Sequence, residues 1–476
     1  MTAPFVSLPP RSERASLFIL VVMFGVTFAL LYGVSSAWSE FVPWRMSVAL
    51  PVDETWPFWP AAAGIYLTIT PMLLLAPFVL RDLASLLPLY VTLMLETAIA
   101  AACFLLLPVD GPATDCCEGT VSGALFRVAD AMNLERNCFP SLHVAFACTA
   151  ALAFAPRASR AGAVSLHVWA AAVAMSTLVT KQHFLVDVVA GYALALACWR
   201  FSKRWAARPR VLAAFDVELL CLRNFGRFIR RHRRYLVITI AVLAAGIPRW
   251  WRQRLVRTGF AFLQATDDLL DGDRPSEREP LEITDELIAS LESGHFADDE
   301  LARLGAAFRA DLLARGGPAA LATAIQLLRR MQRDRRRMLS REISTSEELE
   351  ALHAATFGPS LDLMLVAADS TLRSTDVPEL VTALGWCSSV RDLQDDLRLQ
   401  LVNVPSDVIE EARAEAPHMP LASIGDTIAV RRWLSQEKAG AVSLLDRAEM
   451  RIRNLGSVRG AGLLMRFARS MRRYTA

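Results

Sequence analysis

The chain has 476 residues, of which 54% are hydrophobic and 21% charged, and its 51 basic and 48 acidic side chains leave a net charge of +3. That is too apolar for an ordinary soluble enzyme and too charged for a pure membrane bundle, so the composition points to a chimera of the two. Nothing in so small a net charge favours nucleic acid as a partner, and the basic residues cluster where a membrane surface explains them better.

Six apolar segments occupy the first 200 residues, at 16–36, 60–80, 86–107, 142–156, 161–180 and 184–201. Most approach the ~20 residues a helix needs to cross a bilayer. The first is too long for a cleavable signal and has no small-residue cleavage site after it, so it reads as a retained anchor. If the helices alternate, Arg11, Arg14, Arg81, Arg157, Arg160, Arg200, Lys203, Arg204, Arg208 and Arg210 share one side, against Arg45, Arg127, Arg136 and Lys181 on the other. The positive-inside tendency then places the N terminus and the whole C-terminal half in the cytoplasm of an inner or plasma membrane protein. Loops 37–59 and 108–141 face outward. Eight cysteines form no CxxC pair, which argues against structural zinc. Cys138 either pairs with Cys116 or Cys117 in an outward loop or all three stay thiols.

After Pro209 the pattern becomes amphipathic and helical, as in RNFGRFIRRHRRY from Arg223 to Tyr235. The apolar run Leu236 to Ile247 is short for a span and reads as a buried core helix. Beyond it there is no alternating strand pattern, and Gly316, Gly317 and Pro318 mark a turn in the helical array.

Two stretches in the membrane half carry chemistry: NCFPSLHV from Asn137 to Val144 and TKQHFLVD from Thr180 to Asp187. His183 and Asp187 stand four apart, so on a helix the carboxylate can hold one ring nitrogen while the other is free to attack. His143, on the same inferred side, can supply a proton to a departing oxygen. Interfacial polar residues with no chemical role would give the same spacing. The longer stretches NCFPSLHVAFA and STLVTKQHFLVDVVAG, the latter from Ser176 to Gly191, resemble the second and third signatures of the type 2 phosphatidic acid phosphatase superfamily, most closely its inositolphosphotransferase-like branch, over roughly residues 15–202. The resemblance implies His183 as nucleophile through a phosphohistidine, Asp187 as its partner, His143 as general acid and Ser141 as a phosphate donor. Leu142 replaces a glycine of that pattern and Thr177 an arginine. Lys181 is the natural substitute cation, because phosphoryl transfer needs charge near the transferring oxygens. The first signature has no match on the correct side; Arg136 or Arg127 would serve instead.

In the C-terminal half, FLQATDDLLDGD from Phe262 to Asp273 groups Asp267, Asp268 and Asp271, and VRDLQDDLRLQ from Val390 to Gln400 groups Asp392, Asp395 and Asp396. Carboxylates so placed repel one another unless a divalent cation lies between them, and hard oxygen ligands suit magnesium shared with a diphosphate. Two solvated acidic faces would give the same pattern. With MQRDRRRMLSREISTSEELEALHAATFG between them, these motifs resemble the squalene and phytoene synthase family over about residues 220–470. That resemblance implies Mg2+ at Asp267, Asp271, Asp392 and Asp396 with Asp268 assisting, and Arg391 and Arg335 meeting the diphosphate of a prenyl substrate. Leu352 stands where that family has a tyrosine, so head-to-head condensation is not the expected outcome.

The expected protein is all-α: a six-helix transmembrane bundle over residues 1–210 followed by a soluble isoprenoid synthase-like helical domain over 211–476. Its expected role is a bifunctional enzyme of isoprenoid metabolism, in which a Mg2+-dependent domain converts a prenyl diphosphate and a membrane domain, needing no cofactor, removes phosphate from a lipid phosphate or diphosphate. One alternative is phosphoryl transfer to an alcohol such as inositol. Another is a C-terminal half that only binds prenyl diphosphates.

Overall fold

The computed structural model describes residues 4–44, 46–109, 111, 120–132, 137–231, 233, 236, 240 and 249–474. Among these the chain is all-helical, with isolated β-bridges but no strand. It divides into two compact units, Met1–Leu219 and Leu220–Ala476.

Unit one begins with α1 (Arg11–Phe41) and a short α2 (Pro51–Thr55). The second apolar segment, expected as one span, is instead a 3-10 turn (Pro60–Ala62) followed by α3 (Ala63–Tyr66), α4 (Ile69–Leu74) and α5 (Ala76–Val79). Pro60, Pro71 and Pro77 explain the breaks: each lacks an N–H, and its ring clashes with the preceding turn. Then come α6 (Leu83–Leu106), α7 (Val121–Met132), α8 (Leu142–Phe154), α9 (Arg160–Val179) and α10 (Leu185–Ala206). The helix α7 lies inside a stretch that the sequence gives only as a loop.

Among the described residues four helices are long and apolar enough to cross a membrane: Arg11–Ser39, Leu83–Leu106, Arg160–Val179 and Leu185–Ala206, with Pro60–Leu74 and Leu142–Arg157 shorter. Side-chain caps fix the starts of α6 and α9, with Asp82 accepting from Ser85 N at 2.9 Å and Ser159 accepting from Gly162 N at 3.1 Å. The helix α6 packs against α1, α8 and α10, and Leu87, Phe104, Ala147, Ala150 and Phe154 are buried in the shared core. Val22, Val26, Leu30, Val34 and Trp38, four residues apart along α1, are exposed. An apolar outer stripe of that length suits lipid rather than water. Inside, Glu96 of α6 is fully buried and accepts from Thr149 Oγ1 of α8 at 2.6 Å.

The helix α11 (Pro209–Arg231) runs through the boundary at 219. Unit two holds α12 (Arg254–Leu270), α13 (Pro280–Ser293), α14 (Glu300–Ser340), α15 (Ser346–Ala367), α16 (Pro378–Arg398), α17 (Ser406–Glu415), α18 (Ile428–Asn454) and α19 (Ala461–Met471). Neighbours pack in order: α12 on α14, α14 on α15, α15 on α16, and α16 on α18. The GGP turn expected at 316–318 is a kink within α14, where Gly317 has φ 65 and the helix resumes through Pro318. Only glycine adopts that backbone cheaply. The α15 start is a capping box, Thr345 with Glu348. The core helix expected at 236–247 lies largely outside the described residues.

Candidate functional site

Backbone geometry at two helix starts builds the candidate site of unit one. The N-cap of α8 is Ser141, whose Oγ accepts from Val144 N at 3.4 Å. The α9 helix ends at Val179, and Lys181 follows with φ 54. Gln182 N and His183 N both donate to Thr177 O, at 2.9 and 3.2 Å, which folds the chain back before α10 begins. In the first turn of α10, Asp187 Oδ2 accepts from Phe184 N at 2.9 Å, while Ser141 N donates to the Asp187 carbonyl at 3.1 Å. That last bond ties the two helix starts together. Gly191 lets them approach: a Cβ there would sit 2.5 Å from the Ser141 carbonyl oxygen.

The result is a pair of imidazoles, His183 buried and His143 partly so. The rings of His143 and His183 are 5.9 Å apart, and His183 Nδ1 lies 3.6 Å from Asp187 Oδ2, just beyond hydrogen-bond reach. His183 is 3% and Asp187 0% exposed. Among the described residues neither ring nitrogen of His183 has a hydrogen-bond partner. A polar group buried unpaired loses the hydration it had in water and gains nothing back, so such groups mark places with a task beyond packing.

The expected phosphate ligands are placed unevenly. Ser141 is fully buried beside the pair. Lys181 Nζ donates to the Asp53 carbonyl at 2.7 Å, and Asp53 Oδ1 accepts from Leu185 N at 2.9 Å, so α2 is latched to the start of α10. Thr177 is buried and donates to Ala174 O. Arg127 is exposed on α7, and Arg136 lies outside the described residues. Cys138 is buried, but Cys116 and Cys117 also lie outside them.

Three side chains near the pair are not read from the sequence. Tyr66 Oη is 2.6 Å from His143 Nε2, Asp53 caps α10, and Asp130 accepts from Gln182 Nε2 at 3.1 Å. A tyrosine in an apolar run and an aspartate just after Pro51 are the only signals for the first two.

In unit two, α12 carries Asp267 and Asp268, and Asp271 is its C-cap. The helix α16 carries Asp392, Asp395 and Asp396. Burial, then Asp271, Asp268 and Asp334, push the Asp267 carboxyl well above the carboxylate range. Burial, then Asp273, Asp334 and Asp268, push Asp271 up to about 7, against the opposing Arg335. Burial also pushes Asp396 up to about 7; Asn403 opposes this through a 2.9 Å hydrogen bond, while Asp392, Asp271 and Asp334 add to it. Asp396 of the second motif therefore feels Asp271 of the first.

Asp334 of α14, hidden in the sequence among arginines, acts on Asp267, Asp271 and Asp396 alike. It pairs with Arg330 at 2.7 Å and Arg337 at 3.1 Å. Of the expected diphosphate ligands, Arg391 pairs with its neighbour Asp392 at 2.5 Å. Asp395 turns outward to Arg398. Among the described residues no group of three or more His, Cys, Asp and Glu side chains converges as a ready cage for a metal ion.

Residues 34–201 match the family described as the PAP2 superfamily, so a PAP2 superfamily domain occupies most of unit one and none of unit two. A domain of that superfamily suggests lipid phosphate activity of the phosphatase or phosphotransferase type for unit one. With the four apolar helices, the domain also points to a membrane protein. No curated protein and no solved structure matches the chain.

Proposed function

We propose that unit one is a lipid phosphate phosphatase in which His183 attacks phosphorus. As the Nε2–P bond forms and the O–P bond breaks, His143 gives its proton to the leaving oxygen. Water, losing a proton to His143, then releases phosphate from His183. Asp187 holds Nδ1 and steadies the positive charge, and Ser141 and Lys181 meet the phosphate oxygens. The observation that carries this reading is His143 beside the buried His183 and Asp187, with the two imidazole rings 5.9 Å apart. An alcohol such as inositol in place of water would make the same site a phosphotransferase.

We further propose that unit two converts a prenyl diphosphate with Mg2+ held by Asp267, Asp271, Asp392 and Asp396, assisted by Asp268. Arg391 and Arg335 face the diphosphate. The support is electrostatic: Asp271 of one motif and Asp334 raise the partly buried Asp396 of the other, and a divalent cation relieves such repulsion. Such an ion supplies charge neutralisation of a departing diphosphate. The whole is then a bifunctional enzyme of isoprenoid metabolism, with unit two cytoplasmic and the histidine pair facing outward.

One incubation tests both halves: full-length protein in detergent with Mg2+ and prenyl diphosphates of increasing length, wild type beside His183→Ala, and the organic extract analysed. A diphosphorylated product in the variant and its alcohol in wild type are expected. Turnover retained by Asp267→Ala with Asp392→Ala would instead support a unit two that only binds.

A further inference from the structure

No step above uses the contact that Tyr66 makes with His143. Tyr66 ends α3 and is 2% exposed. Its hydroxyl oxygen is 2.6 Å from His143 Nε2 and 3.0 Å from Nδ1, with the two rings 4.2 Å apart and tilted by 35°. Ala63, Phe126 and Ala129 pack the phenol ring from α3 and α7, so the hydroxyl is fixed by an apolar cluster. Among the described residues, Tyr66 is the one hydrogen-bond partner found for the His143 ring. His183 has a carboxylate four residues on; His143 has a phenol from 77 residues earlier.

A neutral imidazole carries one N–H and one bare nitrogen, and which is which depends on the bond each makes. A hydroxyl oxygen accepts from N–H in both the charged and the neutral ring. If Tyr66 Oη accepts throughout from Nε2, the nearer nitrogen at 2.6 Å, Nε2 keeps its proton. The other nitrogen is then the one that gives a proton up.

Building on the phosphatase reading above, we propose that Tyr66 is a positioning residue for proton delivery, fixing the tautomer and ring angle of His143 toward the leaving oxygen. Atoms balance without a further reagent. The His183 N–P bond forms, the O–P bond breaks, and the leaving oxygen takes the proton from Nδ1, the nitrogen farther from Tyr66 Oη. The remaining N–H stays on Tyr66 Oη, and the phenol keeps its own proton. The break of the second apolar segment at Tyr66 is then the feature that brings this hydroxyl to the start of α8.

The test compares two esters with full-length protein in detergent. One is an alkyl phosphate lipid, whose departing alkoxide needs a proton; the other is p-nitrophenyl phosphate, whose leaving group departs without one. Removing a general acid's function slows a reaction by roughly 10²–10⁴-fold. Tyr66→Phe is expected to lower kcat/KM, which reports formation of the phosphohistidine and not its hydrolysis, by about 10–100-fold on the alkyl ester and by less than about 3-fold on the aryl ester, because only the alkyl leaving group draws on His143 as an acid. His143→Ala should show the same pattern more deeply, and adding Tyr66→Phe to it should cost nothing more. Equal losses on both esters mean a packing role and overturn the proposal. So does a Tyr66→Phe loss of the same size with and without His143, a comparison that holds even if the variant is less stable. A wild type inert toward both esters overturns the phosphatase reading itself, and that failure is visible before any variant is made.

Discussion

Asp271 and Asp396 set the pH response of unit two. A carboxyl held near 7 in the folded chain and near 4 when unfolded binds more protons folded than unfolded between those values. Its contribution to stability is therefore present at low pH and lost as pH rises through 7. Thermal melts of the full chain should show a lower transition for unit two at pH 8 than at pH 5. Added Mg2+ should raise that transition more at pH 8, and Asp396→Asn should remove most of the difference. A Mg2+ effect equal at both pH values would count against metal at these carboxyls. At this scale the sequence was legible where a motif is local, as with His183 and Asp187 or the paired aspartates. It was opaque where partners are remote: Tyr66 meets His143 across 77 residues, and Asp334 reaches both acidic motifs from a third helix.

Helix starts, more than helix bodies, determine where the catalytic candidates sit. The starts of α8 and α10 are joined by the Ser141 to Asp187 backbone bond and by the absence of a side chain at Gly191. A methyl there would meet the Ser141 carbonyl at 2.5 Å and Val144 Cβ at 3.2 Å, so the helices must part. Misplacement of reacting groups by 1 Å can cost about 10²-fold. Gly191→Ala is therefore expected to lower phosphate release by roughly that factor, with a smaller loss in melting temperature. Unchanged activity, measured as phosphate release at saturating lipid, would show that the spacing of the pair is not critical. Apolar run length gave the long helices α1, α6, α9 and α10, because length alone decides them. It missed the fragmentation of 60–80, since three prolines inside an apolar run break backbone bonds without changing its hydropathy. The GGP triplet marked the place where the backbone leaves helical geometry, at Gly317 between two helical stretches of α14.

For the whole molecule, the proposed orientation sets two chemistries on opposite sides of a bilayer. Arg81, Arg157 and Arg160 flank one set of helix ends, which the positive-inside tendency assigns to the cytoplasm. Reporter fusions after Arg160 and near Asp115 read this directly: an alkaline phosphatase reporter should be active at Asp115 and silent at Arg160, and the reverse would invert the assignment. With that sidedness, a product of unit two must cross the bilayer before the histidine pair can act on it, so direct channelling between the halves is not expected.

The bond between Glu96 and Thr149 bears on how such a chain is made. An acid in a membrane-length helix weakens that helix's own partition into lipid, and the hydroxyl that satisfies it is synthesised 53 residues later. The helix α6 therefore settles fully only once α8 has emerged and docked. Assembly of this half during translation is a cooperative step spanning several helices, and a nascent chain stalled before Thr149 would present α6 to the bilayer with its carboxyl unanswered.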